Sequence, residues 1–159
     1  MSASEFQRII EEFRLFSETT KDLAALEEFC VSQMGTRLPR YDWVGLYMLN
    51  EYDPGVLVLG PFHGASTEHV HIPITQGICG AAVAEGMTVV VDDVGTDPRY
   101  LACSLETWSE IVVPIRVNGV IVGEIDVDSH TRKAFGGEDR EFLEECTAMI
   151  GSFIARYRT

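Results

Sequence analysis

Two cysteines and four carboxylates carry the residue types needed for thiol redox chemistry on a small polar molecule. Cys79 lies in Gly77-Ile78-Cys79-Gly80 and Cys103 in Leu101-Ala102-Cys103-Ser104, and Glu110, Glu124, Asp126 and Asp128 follow on or beside two strong strand candidates. A thiolate can attack a sulfoxide sulfur, take its oxygen equivalent as a sulfenic acid and then form a disulfide with a second thiol. Carboxyls crowded together or buried favour the protonated form, so one can give a proton to a departing oxygen while another holds an amino group. The set therefore fits redox chemistry on a cationic or zwitterionic small molecule. The plainer alternatives are two unrelated structural thiols and acids on a solvent-facing strand; a Cys79–Cys103 disulfide requires Cα atoms within about 7 Å.

Strand periodicity places Glu124, Asp126 and Asp128 on one face and Ile125 and Val127 on the other. Register raises a difficulty. Asn118-Gly119 is the strongest hairpin signal in the chain, and a two-residue turn there pairs Val117 with Val120. Simple counting then sets Ile111 opposite Asp126 and Glu110 opposite Val127, which puts Glu110 and Asp126 on different faces unless a bulge shifts the parity. Pro114 removes a ladder donor and hints at such an edge or bulge.

Trp43 and Tyr47 share strand parity and can wall a pocket, with an aromatic face toward a cationic amino group or thioether, or can simply pack in the core. His63, His69 and His71 lack zinc-ligand spacing, so neither a metal nor a bound cofactor is expected. Cys30 and Cys146 fall inside apolar helical patterns and read as buried packing residues.

The elements that must position these groups follow from hydrophobic period. Phe6, Ile9, Ile10, Phe13 and Phe16, then Leu23, Leu26, Phe29, Cys30 and Met34, predict two helices, the second capped by Thr20 or Asp22. Trp43 to Leu49 and Val56 to Gly60 read as a hairpin across Asp53-Pro54-Gly55, with a short third strand within His69 to Ile74. A short helix from Gly80 to Glu85 and a strand from Thr88 to Val91 follow, which would leave both Cys79 and Cys103 on irregular backbone flanking that strand. Ile111 to Ile115 and Val120 to Val127 form the second hairpin. From Gly137 onward, Phe142, Leu143, Cys146, Met149, Ile150, Phe153, Ile154 and Tyr157 form one apolar helical stripe, packed on the sheet or on another subunit. The connections are mostly too short for parallel crossovers. The expected fold is α+β: a five- or six-stranded antiparallel sheet flanked by helices, one domain spanning residues 1–159.

Composition agrees with one folded domain. The 46% apolar fraction opposes disorder. The formal charge of −13 repels phosphate backbones and anionic lipid, so no nucleic acid and no membrane partner is expected. The start lacks the basic and apolar regions of a signal peptide, and four scattered cysteines form no dense disulfide framework. A cytoplasmic protein with reduced thiols is expected.

At Trp43-Val44-Gly45-Leu46-Tyr47, Gly77-Ile78-Cys79-Gly80, Cys103, Ser109 through Ile115, and Gly123 through Ser129, the chain resembles the GAF-domain free methionine-(R)-sulfoxide reductases. The likeness runs from the early helices to the terminal helix. It implies a single GAF domain that reduces free L-methionine-(R)-sulfoxide to L-methionine. It also implies that Cys103 is the attacking thiolate and that Glu110, Asp126 and Asp128 hold the amino group or assist protonation of the sulfoxide. Trp43 and Tyr47 match the aromatic wall, and Cys79 matches a second family cysteine. The resemblance further implies recycling by a thioredoxin-like or small-thiol reductant, and a homodimer. His69 stands where the family usually has a third cysteine, which leaves Cys79 or an external thiol to resolve the Cys103 sulfenic acid. The alternative is a catalytically weak or inactive small-molecule-binding GAF sensor acting through a separate partner.

Overall fold

A computed structural model describes residues 2–101 and 106–157. Helix α1 spans Ser2–Thr19 and α2 spans Leu23–Arg37. Asp22 caps α2, accepting from the Ala24 N–H at 3.0 Å, while the Thr20 hydroxyl accepts from the Asp22 N–H at 3.1 Å. Of the two capping candidates, one therefore closes the helix and the other orients the first. Strand β1 (Trp43–Leu49) turns at Asp53-Pro54-Gly55 into β2 (Val56–His63), and the Asp53 carboxylate accepts from the Gly55 N–H at 3.1 Å. A short β3 (His71–Pro73), α3 (Gly77–Glu85) and β4 (Val89–Val91) follow. Strands β5 (Ser109–Val117) and β6 (Val120–Ser129) precede the terminal helix α4 (Gly137–Tyr157).

The six strands form one antiparallel sheet in the order β3-β2-β1-β6-β5-β4. Asn118 and Gly119 join β5 to β6 with φ of 51° and 81°, the pair of positive angles that a type I′ turn demands and that Asn-Gly tolerates. The chain is thus the α+β single domain expected, with six strands.

Alternation divides the sheet into two unlike faces. Val44, Leu46, Ile111, Val113, Ile115, Ile125 and Val127 point toward α1, α2 and α4, where Phe13, Met34, Phe142, Ile150 and Phe153 complete the larger core. Each such side chain contributes roughly 1.5–3 kcal/mol when fully buried. Cys30 and Cys146 lie within this core, and burial pushes both thiols up. Most of the apolar stripe of α4 is thereby buried inside the chain, with Tyr157 at its end left exposed. A Cβ at Gly151 would run into the Arg116 carbonyl oxygen, so that glycine lets α4 lie directly on β5.

The opposite face carries Tyr47, Leu57, Val112, Val89 and Val91, roofed by Ile78, Cys79 and Ala82 of α3. That helix begins at Gly77 rather than Gly80, so Cys79 sits in its first turn and not on irregular backbone. The glycines explain the difference: Gly77 adopts φ 70°, and a Cβ at Gly80 would come within 2.6 Å of the Ile74 carbonyl oxygen. No helix among the described residues is long and apolar enough to cross a membrane.

Candidate active site

The register difficulty is resolved by a bulge in β6. Val117 pairs with Val120 and Arg116 with Ile121, as the two-residue turn requires, but Ile115 then pairs with Gly123. Val122 is the extra residue, and from there on the parity of β6 is reversed relative to β5. Glu110 consequently faces Asp128, Val112 faces Asp126 and Pro114 faces Glu124. The irregularity lies on β6, not at Pro114. That proline sits past the end of β4, which covers only Glu110, Ile111 and Val112, so its missing donor disrupts no pairing on that side. Gly123 allows the bulge to nestle against β1, where a Cβ would strike Met48 Sδ and the Tyr47 carbonyl oxygen.

On the other flank, β1 pairs Trp43 with Asp128, Gly45 with Asp126 and Tyr47 with Glu124. Three strands therefore present one face: aromatics from β1, acids from β6, and Glu110 from β5. All four acids are buried, Glu124 and Asp126 being 0% and 1% exposed and Glu110 and Asp128 3% and 4%. The solvent-facing alternative for Glu124 is thus overturned, because α3 and the loops cover this side of the sheet.

Cys79, itself 4% exposed, reaches down from α3 and donates its S–H to Asp126 Oδ2 at 3.4 Å. One ligand-type atom each from Cys79, Glu110 and Asp126 lies within 4.8 Å of the others. Both Glu124 oxygens, Asp126 Oδ1 and Asp128 Oδ1 are buried with no hydrogen-bond partner among the described residues. Burial raises Glu124, Asp126 and Asp128 above the ordinary carboxyl range, and the charge of Asp126 adds to the effect at Asp128. The same burial, reinforced by Asp126 and the other acids, pushes the Cys79 thiol well up. Cys79 is therefore a neutral donor, not a ready nucleophile. Burial thus shifts these acids toward the protonated, donating form, next to oxygens able to accept from a cation.

Trp43 and Tyr47 wall this face, their ring centroids 6.3 Å apart, and Trp43 stacks on Phe62 at 5.8 Å. The indole lies across Gly45, where a Cβ would collide with it. Trp43 Nε1 donates to the Ala65 carbonyl at 3.0 Å, and the Tyr47 hydroxyl donates to the His69 carbonyl at 2.7 Å. A pocket of about 100 Å³ opens beside Trp43 and Asp128, rimmed by Asp42, Thr67, Thr107 and His130. Two larger grooves, of about 540 and about 610 Å³, lie between α4 and β5 and beside α3, and neither is lined by Glu110, Glu124, Asp126 or Asp128. Of the three, only the smaller pocket reaches the acid-bearing face, through Trp43 and Asp128.

The structure thus brings together Trp43, Tyr47, Cys79, Glu110, Asp126 and Asp128. Cys103 lies outside the described residues. His63 packs beside Gly35 and His71 is exposed on β3; the group of metal-ligating side chains among the described residues includes no histidine. Asp42, Thr107 and His130 at the rim escape sequence reasoning, since no spacing marks them. The adjacency of Asp42 to Trp43 is the only signal in the chain that points to any of them.

A six-stranded antiparallel sheet with three helices on one face and a short helix covering the buried acid-bearing face is the GAF arrangement, and residues 19–154 match the GAF domain. Among its relatives, protein YtsP of Bacillus subtilis is 34% identical over 96% of this chain and 92% of that protein. A free methionine-R-sulfoxide reductase of Escherichia coli is 36% identical over 75% of this chain and 70% of that one. The structure of the Neisseria meningitidis free methionine-R-sulfoxide reductase in complex with its substrate superposes with a TM-score of 0.93 at 30% identity, covering 99% and 93% of the two chains. The chain belongs to the GAF-domain free methionine-(R)-sulfoxide reductase family.

Proposed function

We propose that this protein reduces free L-methionine-(R)-sulfoxide to L-methionine. The observation that carries the reading is the buried face itself: Glu110, Asp126 and Asp128 share it with Trp43 and Tyr47, and Trp43 and Asp128 line the adjoining pocket. An amino-acid ammonium satisfies the unpartnered acid oxygens, the aromatic wall takes the thioether end, and a protonated acid of raised pKa serves the sulfoxide oxygen.

In this reading the Cys103 thiolate attacks the substrate sulfur as the oxygen is protonated. Methionine leaves and Cys103 is left as a sulfenic acid. A second thiol condenses with it, releasing water and forming a disulfide, and a dithiol donor of the thioredoxin class or two small thiols return both sulfurs to the reduced state. The sum is one sulfoxide, two electrons and two protons giving one thioether and one water. The buried, hydrogen-bonded, neutral state of Cys79 supports direct resolution by the external thiol, with Cys79 holding Asp126 in place. The protein works in the cytoplasm as a homodimer, which sedimentation across working concentrations tests.

Epimer-resolved assay of the reduced protein, with mass spectrometry of trapped oxidation states, tests the reaction. Turnover of the R epimer should exceed that of a Cys103→Ser control under thioredoxin or a small thiol. No excess under either reductant overturns the enzyme reading. His69 in place of the usual third cysteine favours one second reading, a GAF sensor that keeps the pocket for an amino compound and signals through a separate partner. Specific binding without turnover would select it.

A further inference from the structure

We infer that Cys79, Glu110 and Asp126 form a site for a borderline or soft divalent cation of the zinc and cadmium type, occupying the same acid face as the substrate and excluding it. The geometry carries this. In a tetrahedral zinc centre with metal–sulfur near 2.3 Å and metal–oxygen near 2.0 Å, sulfur and oxygen ligands stand about 3.5 Å apart. Cys79 Sγ and Asp126 Oδ2 are 3.4 Å apart already. The whole three-atom set lies within 4.8 Å, so closing it needs its longest separation to shorten by at most about 1.5 Å.

A second observation points to a cation. Glu124 is 0% exposed and both its oxygens lack a partner, and Asp126 Oδ1 is likewise buried and unpartnered. A buried polar atom without a partner is destabilising, and more so when charged. Glu124 lies on the same buried face, two residues from Asp126 on β6. The thiolate sets the selectivity, since an all-oxygen ion such as magnesium or calcium seeks six or more hard donors while sulfur favours zinc and cadmium. On binding, the Cys79 thiol and any protonated acid of the set release their protons to water, and no electron moves.

Occupancy rests on geometry alone; exclusion of substrate rests on the reductase reading. Cadmium titrated into the reduced full chain, under a thiol-free reductant, should give a one-to-one thiolate-to-cadmium ultraviolet band that zinc displaces. Cys79→Ser should abolish the band and Cys103→Ser should keep it. Asp126→Asn should weaken cadmium at least tenfold, which also serves if the Cys79 variant fails to fold. Absence of the band, its survival in Cys79→Ser, or unchanged affinity in Asp126→Asn overturns the site. Methionine sulfoxide should compete with cadmium; a band indifferent to sulfoxide leaves the metal site standing and overturns the shared occupancy.

Discussion

Asp126 is the residue on which the site's physical demands converge. It pairs with Gly45 on one side and Val112 on the other, accepts from Cys79, and leaves Oδ1 unpartnered. Asp126→Asn keeps the shape but loses the ionisable acid, so we expect kcat/KM to fall by roughly 10²–10⁴, the usual reach of a positioned acid or base. Cys79 separates two roles cleanly. Cys79→Ser keeps a donor to Asp126 and should leave KM within about threefold, whereas Cys79→Ala strands Oδ2 and should raise KM about tenfold, equivalent to the ~1.4 kcal/mol of a hydrogen bond. Loss of thioredoxin-linked turnover in Cys79→Ser, with the sulfenic acid of Cys103 accumulating, would instead make Cys79 the resolving thiol. Which cysteine packs and which acid faces solvent was partly legible: Cys30 and Cys146 follow from helical period. The burial of Glu124 did not, because a period-two pattern distinguishes faces but not which face acquires a roof.

The β6 bulge decides whether the elements deliver a site at all. Were Val122 paired with Ile115 rather than bulged out, Glu110 would face Val127 and leave the acid face, so one unpaired residue changes the chemistry of two strands. Gly123→Ala, which forces a Cβ against Met48 and the Tyr47 carbonyl, should lower stability by about 1–3 kcal/mol and reduce activity more than that loss explains. Deleting Val122 should close the bulge with Ile115 still opposite Gly123 and Glu110 still opposite Asp128, so sulfoxide reduction should survive while stability changes, checked by melting temperature and assay together. Most elements were legible: both hairpins, the Asp22 cap and the terminal helix follow from period, Asn-Gly and Asp-Pro-Gly. The bulge position was not, since Ile121-Val122-Gly123 satisfies either register locally and only the fit of Gly123 against β1 selects one. The early start of α3 was hidden for a similar reason, because Gly77 and Gly80 lower helix propensity in isolation yet are required by the positive φ and the close approach to Ile74.

At the scale of the whole molecule, the buried acids make folding pH-dependent with an unusual sign. Glu27, 7% exposed on α2 with Oε2 unpartnered, is raised by burial to about 7, and Glu124, Asp126 and Asp128 are raised in the same direction. Each binds a proton more tightly folded than unfolded. Its neutral form is accommodated below the unfolded carboxyl pKa, and stability is lost as pH rises from there through the folded value. Melting temperature should therefore fall between about pH 5 and pH 8. Glu27→Gln should flatten part of that slope and gain up to about 3 kcal/mol at pH 8, an upper bound because some solvent still reaches the side chain. A rising melting temperature over that range would contradict this. The same molecule carries its own optical gauge. Of its two tryptophans, Trp108 is 40% exposed beneath Arg132, whereas Trp43 is clamped between Phe62 and the pocket mouth. Trp108→Phe would leave a single fluorophore at the entrance, so ligand arrival could be timed by stopped-flow emission without a label or a coupled assay.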